Sequence, residues 1–374
     1  MNSVVSIVRT EGYTALRSHV SRLIDNIGGW AAFVKPGDKV LLKANLLSAR
    51  QPERGVTTHP ELVKAVAQSL MDFGASVAIG DSPGGADKGL ERVFRNTGMI
   101  GVAEELGIPW VKFETAGARQ VKVDDRLTLF LTEATADFDH VINMPKLKTH
   151  SLTLFTGAVK NLYGLVPGLR KATYHKLFPL PSDFARMLVA VYANSPVTLH
   201  IMDGIVGMEG NGPASGDLRD TNLLFASADG VALDAVASHI IGIKEGKVKT
   251  TAIADKQGLG NGKLKNIDIA GGELKDFVLE KPFKLPPMMP EAVIPAWAAR
   301  LIAGLIKYRP VPIDEKCVRC GVCAKHCPVD AIEMRGSELP EFDYGKCITC
   351  LCCMELCPEE AVELDMNWIA RRIA

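Results

Sequence analysis

Two alternating patterns of apolar residues run through the first 280 positions, and they predict strands and helices in turn. Short runs of β-branched residues and leucine indicate strands, and apolar positions at i, i+3, i+4 and i+7 indicate amphipathic helices. The predicted strands are 4–8, 39–43, 76–79, 110–113, 121–123, 127–131, 140–143, 197–202 and 222–226. The predicted helices are 19–27, 60–73, 89–106 with a break at Gly98, 182–192 and 231–241. This alternation favours an α/β domain with a mostly parallel or mixed sheet.

The composition changes after residue 280, where prolines become frequent. We therefore expect an α/β domain at 1–280, a proline-rich linker at 281–311, a small module at 312–364 and a tail at 365–374. The linker contains one apolar segment, about 297–307, that predicts a helix. Because the polar face of this helix carries few cations, packing between domains is favoured over contact with a membrane surface.

Charge and hydropathy narrow the function classes. The 43 basic and 43 acidic residues balance to a net charge of zero, which argues against a general nucleic-acid-binding protein. The first residues show neither a long apolar run nor a pair of arginines, so we expect no signal peptide. The segment closest to a membrane span, 292–306, is interrupted by Pro295 and Arg300, and we predict no transmembrane helix. These features favour the cytoplasm, in an organism that lives with little oxygen.

All nine cysteines follow residue 316, and eight of them form a repeat. The pattern C-x2-C-x2-C-x3-C-P occurs at 317–328 and again at 347–358. Thiolate sulfur suits iron–sulfur clusters, and three cysteines at this spacing hold three corners of a four-iron cluster. In two-cluster ferredoxins the fourth ligand comes from the other repeat. The two predicted ligand sets are Cys317, Cys320, Cys323 with Cys357, and Cys347, Cys350, Cys353 with Cys327.

A pair of zinc sites is the alternative, but zinc sites use pairs of C-x2-C and not triples followed by x3-C-P. Cys352 stands outside the repeat, either as a bystander or as an alternative ligand, and no cysteine remains for a nucleophile in the α/β domain. Residues 313–364 resemble the bacterial dicluster ferredoxins. The resemblance implies a small α+β module with two 4Fe-4S clusters, which transfers single electrons at low potential to or from a redox partner protein.

Polar residues at the predicted strand ends form a second group of candidates. Ligands of open α/β sheets bind beyond the carboxyl ends of the strands, and lysines there bind carboxylate or phosphate groups. A solvated basic loop is the alternative interpretation. The candidates for binding an anionic small molecule are Lys43, Asn45, Lys146, Lys148, Lys160, Asn161 and Glu209, and the candidates for catalysis are His59, Asp81, His150 and Asp203.

The catalytic candidates have different expected roles. His59 or His150 would supply a proton, because histidine titrates near neutral pH. Asp81 and Asp203 each precede a glycine-bearing loop, where a carboxylate binds a cation, acts as a base or caps the following turn, and capping is favoured for each alone. Asp229 is predicted to cap the helix at 231, and Asp234 has no assigned role. The motifs of phosphate loops, dinucleotide folds, serine hydrolases and zinc proteases do not occur in the chain.

Several segments of the α/β region, in order, resemble a large family known as domain of unknown function 362. They are Lys43-Ala-Asn45, 55–60, 80–84, Pro145-Lys146-Leu-Lys148-Thr-His150, 157–164 and 203–213, and the resemblance spans about 1–275. Members of this family are often fused to ferredoxins of this kind. The family has no established reaction, so the resemblance implies the domain pairing and leaves the chemistry open.

Three functions remain as hypotheses. In the first, electrons pass through the clusters to an anionic substrate, or to an unrecognised cofactor, in the α/β cleft. In the second, the chain is a non-catalytic electron-transfer or scaffold subunit. In the third, it is a metal-dependent isomerase of the lactate-racemase type, a likeness that rests only on lysines and histidines at strand ends.

Overall fold

A computed structural model describes residues 2–84, 89–168, 170–288 and 308–368. The predicted linker helix at about 297–307 lies outside the described residues. Within the described part of the chain, no helix is long and apolar enough to cross a membrane.

Ten strands of the described chain form one mixed sheet, which confirms the predicted fold class. They are β1 Ser3–Arg9, β2 Lys39–Lys43, β3 Ser76–Asp81, β4 Trp110–Lys112, β7 His140–Asn143, β8 Lys146–His150, β9 Leu154–Thr156, β10 Val197–Glu209, β11 Asp217–Ser227 and β12 Ile267–Ala270. The principal order is β12-β1-β11-β10-β7-β2-β3-β4, and β8 pairs with both β10 and β9. Strands β10, β7, β2, β3 and β4 run parallel, whereas β11 is antiparallel to both β10 and β1. A separate hairpin pairs β5 Ala118–Lys122 with β6 Thr128–Thr132.

Helices cover both faces of the sheet because successive strand residues point to opposite sides. In β2, Val40 and Leu42 pack in one apolar cluster with α1 and α2, whereas Leu41 packs in another with α7. The helices are α1 Leu16–Asp25, α2 Pro60–Phe73, α3 Leu90–Asn96, α4 Met99–Leu106, α5 Ala158–Asn161, α6 Arg170–Leu177, α7 Pro181–Ala193, α8 Gly230–Ile240, α9 Lys249–Lys256 and α10 Leu274–Phe277. Gly98 separates α3 from α4 at a φ of 79°, at the position where the sequence predicts a break.

Several elements differ from the expectation. Lys146, Lys148 and His150 were expected to follow a strand, but they form the strand β8 themselves. Strand β10 continues from the predicted end at 202 to Glu209 through an irregularity between Gly204 and Val206. The sequence reading also missed β9, β12, α6 and α9. Their polar or short segments lack the apolar periodicity by which strands and helices are predicted.

The C-terminal module is small and has two short hairpins. Its strands are β13 Tyr308–Pro312, β14 Ile332–Glu333, β15 Glu341–Phe342 and β16 Val362–Met366, and its helices are α11 Val322–Lys325 and α12 Cys352–Leu356. Strand β13 pairs with β16, and β14 pairs with β15. The buried apolar cluster is correspondingly small and consists of Leu351, Met354, Ala361 and Val362 with two buried cysteines.

The module packs against the loops that follow β2 and β3. Arg50, in the loop after β2, donates to the Glu360 carboxylate over 2.8 Å and to the backbone carbonyl of Cys357. Arg54 donates to the same carboxylate. As a result, α12 lies over the carboxyl ends of the parallel strands, where open α/β sheets bind their ligands.

Candidate functional site

A cleft lies between the carboxyl ends of the strands and the ferredoxin-like module. It has an empty volume of about 950 Å³, part of it open to solvent. The α/β domain contributes mainly polar and cationic side chains to its lining, and α12 contributes the opposing wall. The lining includes Asn45, Lys148, Lys160 and Lys171 from the α/β domain, and Cys352, Glu355 and Leu356 from the module.

Strand β8 aligns three of the predicted site residues. Lys146, Lys148 and His150 are two positions apart, so they project from the same face of the strand. All three are at most 2% exposed. Pairing with β10 places Lys146 opposite Asp203 and Lys148 opposite Met208. The alternation of a strand therefore explains the spacing that the sequence shows at 146, 148 and 150.

Two of the buried lysines are neutralised by aspartates. Lys43 Nζ lies 2.7 Å from Asp81 Oδ1, and Lys146 Nζ lies 2.9 Å from Asp203 Oδ2. Burial lowers the pKa of both lysines, and the adjacent carboxylates oppose that effect. These two pairs account for two of the lysines near the cleft without leaving an uncompensated charge.

The two aspartates differ in the capping role that the sequence favours. Asp203 accepts the backbone N–H of Ile205, two residues later, as expected of a turn-capping aspartate. Asp81 instead accepts the backbone N–H of Leu46 from the neighbouring loop. Among the described residues Asp81 makes no local capping contact, and its carboxylate joins the ends of β2 and β3. Asp229 caps α8 as predicted, accepting from the backbone of Val231 and Ala232.

Lys148 and Lys160 carry the cationic charge that these aspartates do not neutralise. Lys148 Nζ donates to Asn45 Oδ1 at 2.9 Å and to the Val56 carbonyl at 2.6 Å, and both acceptors are uncharged. Lys160 Nζ has no hydrogen-bond partner among the described residues. Burial lowers the pKa of both lysines; the Lys148 pKa falls further through repulsion by Lys160, whereas Glu355 opposes the shift in both. A bound anion would stabilise both ammonium groups.

Asp234, to which the sequence analysis assigns no role, positions Lys160. Its carboxylate accepts the backbone N–H groups of Ala158 at 2.5 Å and Val159 at 3.0 Å, and so caps the first turn of α5. A Cβ atom at Gly157 would lie 2.0 Å from Asp234 Oδ1, so only glycine leaves room for this contact. Burial raises the pKa of Asp234 to about 7. The sequence feature that could have identified Asp234 is an acidic residue within the apolar pattern of helix α8.

A chain of amides holds Asn45 and Asn161 in place. Asn45 donates to Asn161 Oδ1 at 2.9 Å, and Asn161 donates to Asn143 Oδ1 at 2.7 Å. Both Asn45 and Asn161 line the cleft. Because Asn45 Oδ1 also accepts from Lys148, this network fixes the position of that ammonium group.

His150 lies beneath the module side of the cleft. Its Nδ1 accepts the backbone N–H of Leu152 at 3.0 Å, which leaves Nε2 as the protonated nitrogen of the neutral ring. Nε2 lies 3.3 Å from Glu355 Oε1, at angles outside those of a hydrogen bond, and both atoms are buried. Burial lowers the pKa of His150 well below its usual value. The imidazole is therefore neutral at pH 7 and reaches the cleft only through Glu355.

Three predicted site residues lie elsewhere. His59 stacks on Tyr13 with ring centroids 3.6 Å apart, and its backbone N–H donates to Asp203. Glu209 pairs with Arg219 at 3.0 Å. His59, Asp203 and Glu209 are not among the residues that line the cleft. The structure thus separates them from Lys148 and Lys160, although the sequence grouped them together.

The cysteines of the repeat lie around two cavities. One, of about 360 Å³, is lined by Cys317, Cys320, Cys323 and Cys357. The other, of about 320 Å³, is lined by Cys327, Cys347, Cys350, Cys352 and Cys353. No disulfide joins any of the nine cysteines, which all lie within the described residues. Each cavity therefore offers at least four soft ligands from both repeats, a donor set that fits a four-iron cluster.

Cys352 lies in both the second cavity and the cleft. Together with Glu355 and Leu356 it follows i, i+3, i+4 spacing, so these residues form the cleft-facing side of α12. Cys353 and Cys357 belong to the cluster cavities. The α/β domain itself contains no cysteine, as the sequence shows, but the Cys352 thiol reaches the cleft from the other module.

The fold and the cysteine arrangement define an α/β domain joined to a ferredoxin-type iron–sulfur module. Residues 316–361 match the model of the 4Fe-4S dicluster domain, which confirms that the predicted module is an iron–sulfur domain. Residues 40–239 match the model described as Domain of unknown function (DUF362). The chain belongs to this family.

Two further comparisons place the chain among known proteins. It is 40% identical over 260 residues to the Thylakoid-associated protein sll1697 of Synechocystis, covering 68% of this chain and 79% of that protein. A structure of the lactate racemase apoprotein from Thermoanaerobacterium thermosaccharolyticum aligns with 12% identity and a TM-score of 0.41, over 64% of this chain and 57% of that one. This second likeness is too small to bear on the fold or the reaction.

Proposed function

We propose that the chain is an iron–sulfur oxidoreductase that exchanges electrons with an anionic small molecule bound in the cleft. The observation that carries the proposal is the dual role of α12. Its Cys353 lies in one cluster cavity, the adjoining Cys357 lies in the other, and its Cys352, Glu355 and Leu356 line the cleft. Because Cys352 and Cys353 are adjacent in sequence, their Cα atoms are about 3.8 Å apart, and a ligand in the cleft lies beside a cluster ligand.

The proposed cluster ligands are Cys317, Cys320, Cys323 and Cys357 for one cluster, and Cys327, Cys347, Cys350 and Cys353 for the other. Such clusters, when bound, supply transfer of one electron each. Backbone N–H groups of this chain point at three of the sulfurs, from Ala331 to Cys327 and from Ala361 to Cys357, each at 3.2 Å, and from Thr349 to Cys347 at 3.4 Å.

Lys148 and Lys160 hold the anionic group of the ligand. Asn45 orients the Lys148 ammonium group, and Lys171, at the Ser82 side of the cleft, supplies another cationic contact. The lining also includes Leu47, Tyr163 and Leu356. A ligand with a carboxylate or phosphate group on an apolar body satisfies both halves of this lining. A diffusible substrate and a resident organic cofactor share this chemistry, and only the cofactor would remain bound through purification.

The proposed reaction balances as a two-electron reduction of the organic anion. Two electrons reach it one at a time from a redox partner protein through the module, and two protons accompany them. Lys160 offers one proton at Nζ directly to the cleft, and water that enters the open part of the cleft supplies the second; His150 contacts the cleft only through Glu355. His59 and Asp203 lie outside the cleft lining, and Asp81 is held by Lys43, so none of the three takes part.

The test follows reoxidation of the reduced clusters. Anaerobic protein is reduced with dithionite, freed of excess reductant and mixed with a panel of 2-oxo acids, unsaturated carboxylates and organic phosphates, while cluster absorbance is recorded. We expect one acid class to reoxidise the wild type, and Lys160→Ala to slow that step by about tenfold or more, as for loss of a charged hydrogen bond. Lys256→Ala, at an exposed position on α9, is the control and should leave the rate unchanged.

Equal rates in the wild type and Lys160→Ala would contradict the proposal. Reoxidation by a redox partner protein only, with every acid inactive, would favour the non-catalytic electron-transfer subunit. Iron and sulfide analysis is done first, because about eight of each per chain are expected of two four-iron clusters. We place this exchange in the cytoplasm. Fractionation of native cells tests the placement, because the protein and its iron should then be found together in the soluble fraction.

A further inference from the structure

The two cysteine–proline turns of the module have the same backbone geometry. In the first, Asp330 has a φ of 50° and Ala331 N–H donates to Cys327 Sγ at 3.2 Å. In the second, Glu360 has a φ of 52° and Ala361 N–H donates to Cys357 Sγ at 3.2 Å. The repeat therefore forms the same backbone turn twice. The two turns differ in the side chains that contact them.

An arginine of the α/β domain contacts only the second turn. Arg50 donates from Nη1 to Glu360 at 2.8 Å and from Nη2 to the Cys357 carbonyl, so it spans both ends of the turn. Within the described residues, no arginine makes either contact with the Cys327 turn. The turns also differ in sequence, with Val329-Asp330 in the first and Glu359-Glu360 in the second, so the contribution of the arginine clamp has to be measured by substituting Arg50 itself.

The clamp is buried, so solvent screens its charge only weakly. Arg50 is 7% exposed, whereas Arg54, which donates to the same Glu360 carboxylate, is 54% exposed. Two guanidinium groups share one carboxylate, and a guanidinium remains charged throughout the accessible pH range. Solvent screens the exposed Arg54 strongly but the buried Arg50 weakly. Glu359, the other carboxylate of this turn, is exposed and screened like Arg54, so the buried Arg50 guanidinium is the least screened of these four charges at the Cys357 turn.

We propose that Arg50 is a positioning residue for the cluster held by Cys317, Cys320, Cys323 and Cys357, and that it raises the reduction potential of that cluster. Reduction adds one electron and hence one negative charge to a cluster, and a nearby buried cation stabilises the more negative state. Hydrogen bonds to the ligand sulfur act in the same direction, and Arg50 holds the turn from which Ala361 makes one. The α/β domain thereby tunes an electron carrier in the module that docks on it.

This inference rests on the proposed clusters but not on the proposed substrate. The test is a redox titration, monitored by electron paramagnetic resonance, of anaerobically purified full-length protein without any added organic acid. Four proteins are compared after iron and sulfide analysis: wild type, Arg50→Ala, Arg50→Lys and Arg54→Ala. If no organic acid reoxidises the clusters but the Arg50 variants still shift the potential of one cluster, the proposed function is wrong and this inference stands.

We expect Arg50→Ala to lower the potential of one cluster and leave the other in place. Arg50→Lys should give an intermediate value, because it retains the charge but cannot reach both ends of the turn. Arg54→Ala should shift the potential by less than half as much. Unchanged potentials in Arg50→Ala, equal shifts of both clusters, or an equal shift in Arg54→Ala would each overturn the proposal. If Arg50→Ala loses iron, Arg50→Lys decides: a lowered potential supports the clamp, and a wild-type potential overturns it.

Discussion

The α/β domain and the ferredoxin-type module hold their functional groups by opposite means. In the α/β domain, large apolar clusters pack on both faces of the sheet and hold the strands in place. The strands in turn position charged side chains at their ends. In the module, cysteines themselves make up part of the small buried cluster. A fold of about 60 residues with so few apolar side chains relies on bound metal for its stability. The cleft is therefore built by one stable partner and one cluster-dependent partner.

The largest expected effect comes from removing a cluster ligand. Cys353→Ser should leave the second cluster with three of its four proposed ligands, halve the iron content and loosen residues 308–368, because metal binding and folding are coupled in small metal-dependent folds. The α/β domain should remain folded. Limited proteolysis with mass spectrometry, alongside iron analysis, checks both statements. If both domains became sensitive to protease together, the α/β core would depend on the module for its stability. The difference proposed between the two domains would then be wrong.

Breaking a buried ion pair is expected to have the next largest effect, in the α/β domain alone. Lys146→Met leaves the Asp203 carboxylate, which is fully buried, without its cation, and should lower the free energy of unfolding by about 3–5 kcal/mol. The matched control is Arg17→Ala, because Arg17 and Asp72 form a pair in which both side chains are 61% exposed. Such exposed pairs contribute about 0–1 kcal/mol. Urea unfolding followed by circular dichroism measures both; similar values would refute the structural role assigned to the buried pair.

The cleft itself should show a pH dependence set by lysine. Burial lowers the pKa of Lys171 to about 8. Lysine binds an anion only when protonated, so affinity should be full below pH 8 and fall as the pH rises through that value. Fluorescence titration with anilinonaphthalene sulfonate, whose sulfonate stays ionised, measures the affinity. We expect a loss of roughly tenfold by pH 10.

Lys171→Met should flatten this profile near pH 8, and the exposed-site variant Lys256→Ala should not alter it. Binding that strengthens with rising pH would contradict a cationic cleft. A pH profile unaffected by Lys171→Met would instead place the titrating group elsewhere.

The smallest effect is expected for the cysteine outside the repeat. Cys352→Ala should retain the iron content of the wild type and change the free energy of unfolding by less than about 2 kcal/mol, because the side chain is small and ligates no iron in the proposed arrangement. Iron analysis and urea unfolding test this. Loss of iron comparable to that in Cys353→Ser would identify Cys352 as a ligand.

The prediction of the fold from sequence succeeded where local patterns were strong. The strand at 39–43 and the helix at 60–73 have the predicted bounds, because β-branched runs and proline and glycine boundaries are local features. Strand β8 was missed because Lys146, Lys148 and His150 read as polar loop residues. Their burial depends on Asp203, Asn45 and Glu355, which lie far away in the sequence.

The sequence alone determined the iron–sulfur module, because its spacing of thiols is a local requirement of cluster binding. It also determined the family and the lysines at the strand ends. Only the tertiary structure decided which of these lysines are neutralised, that His59 and Glu209 lie outside the cleft, and that Cys352 enters it from the other module. The physical reason is that charge compensation and cleft walls arise between segments that are distant in the chain, and side chains meet there only when both domains have packed.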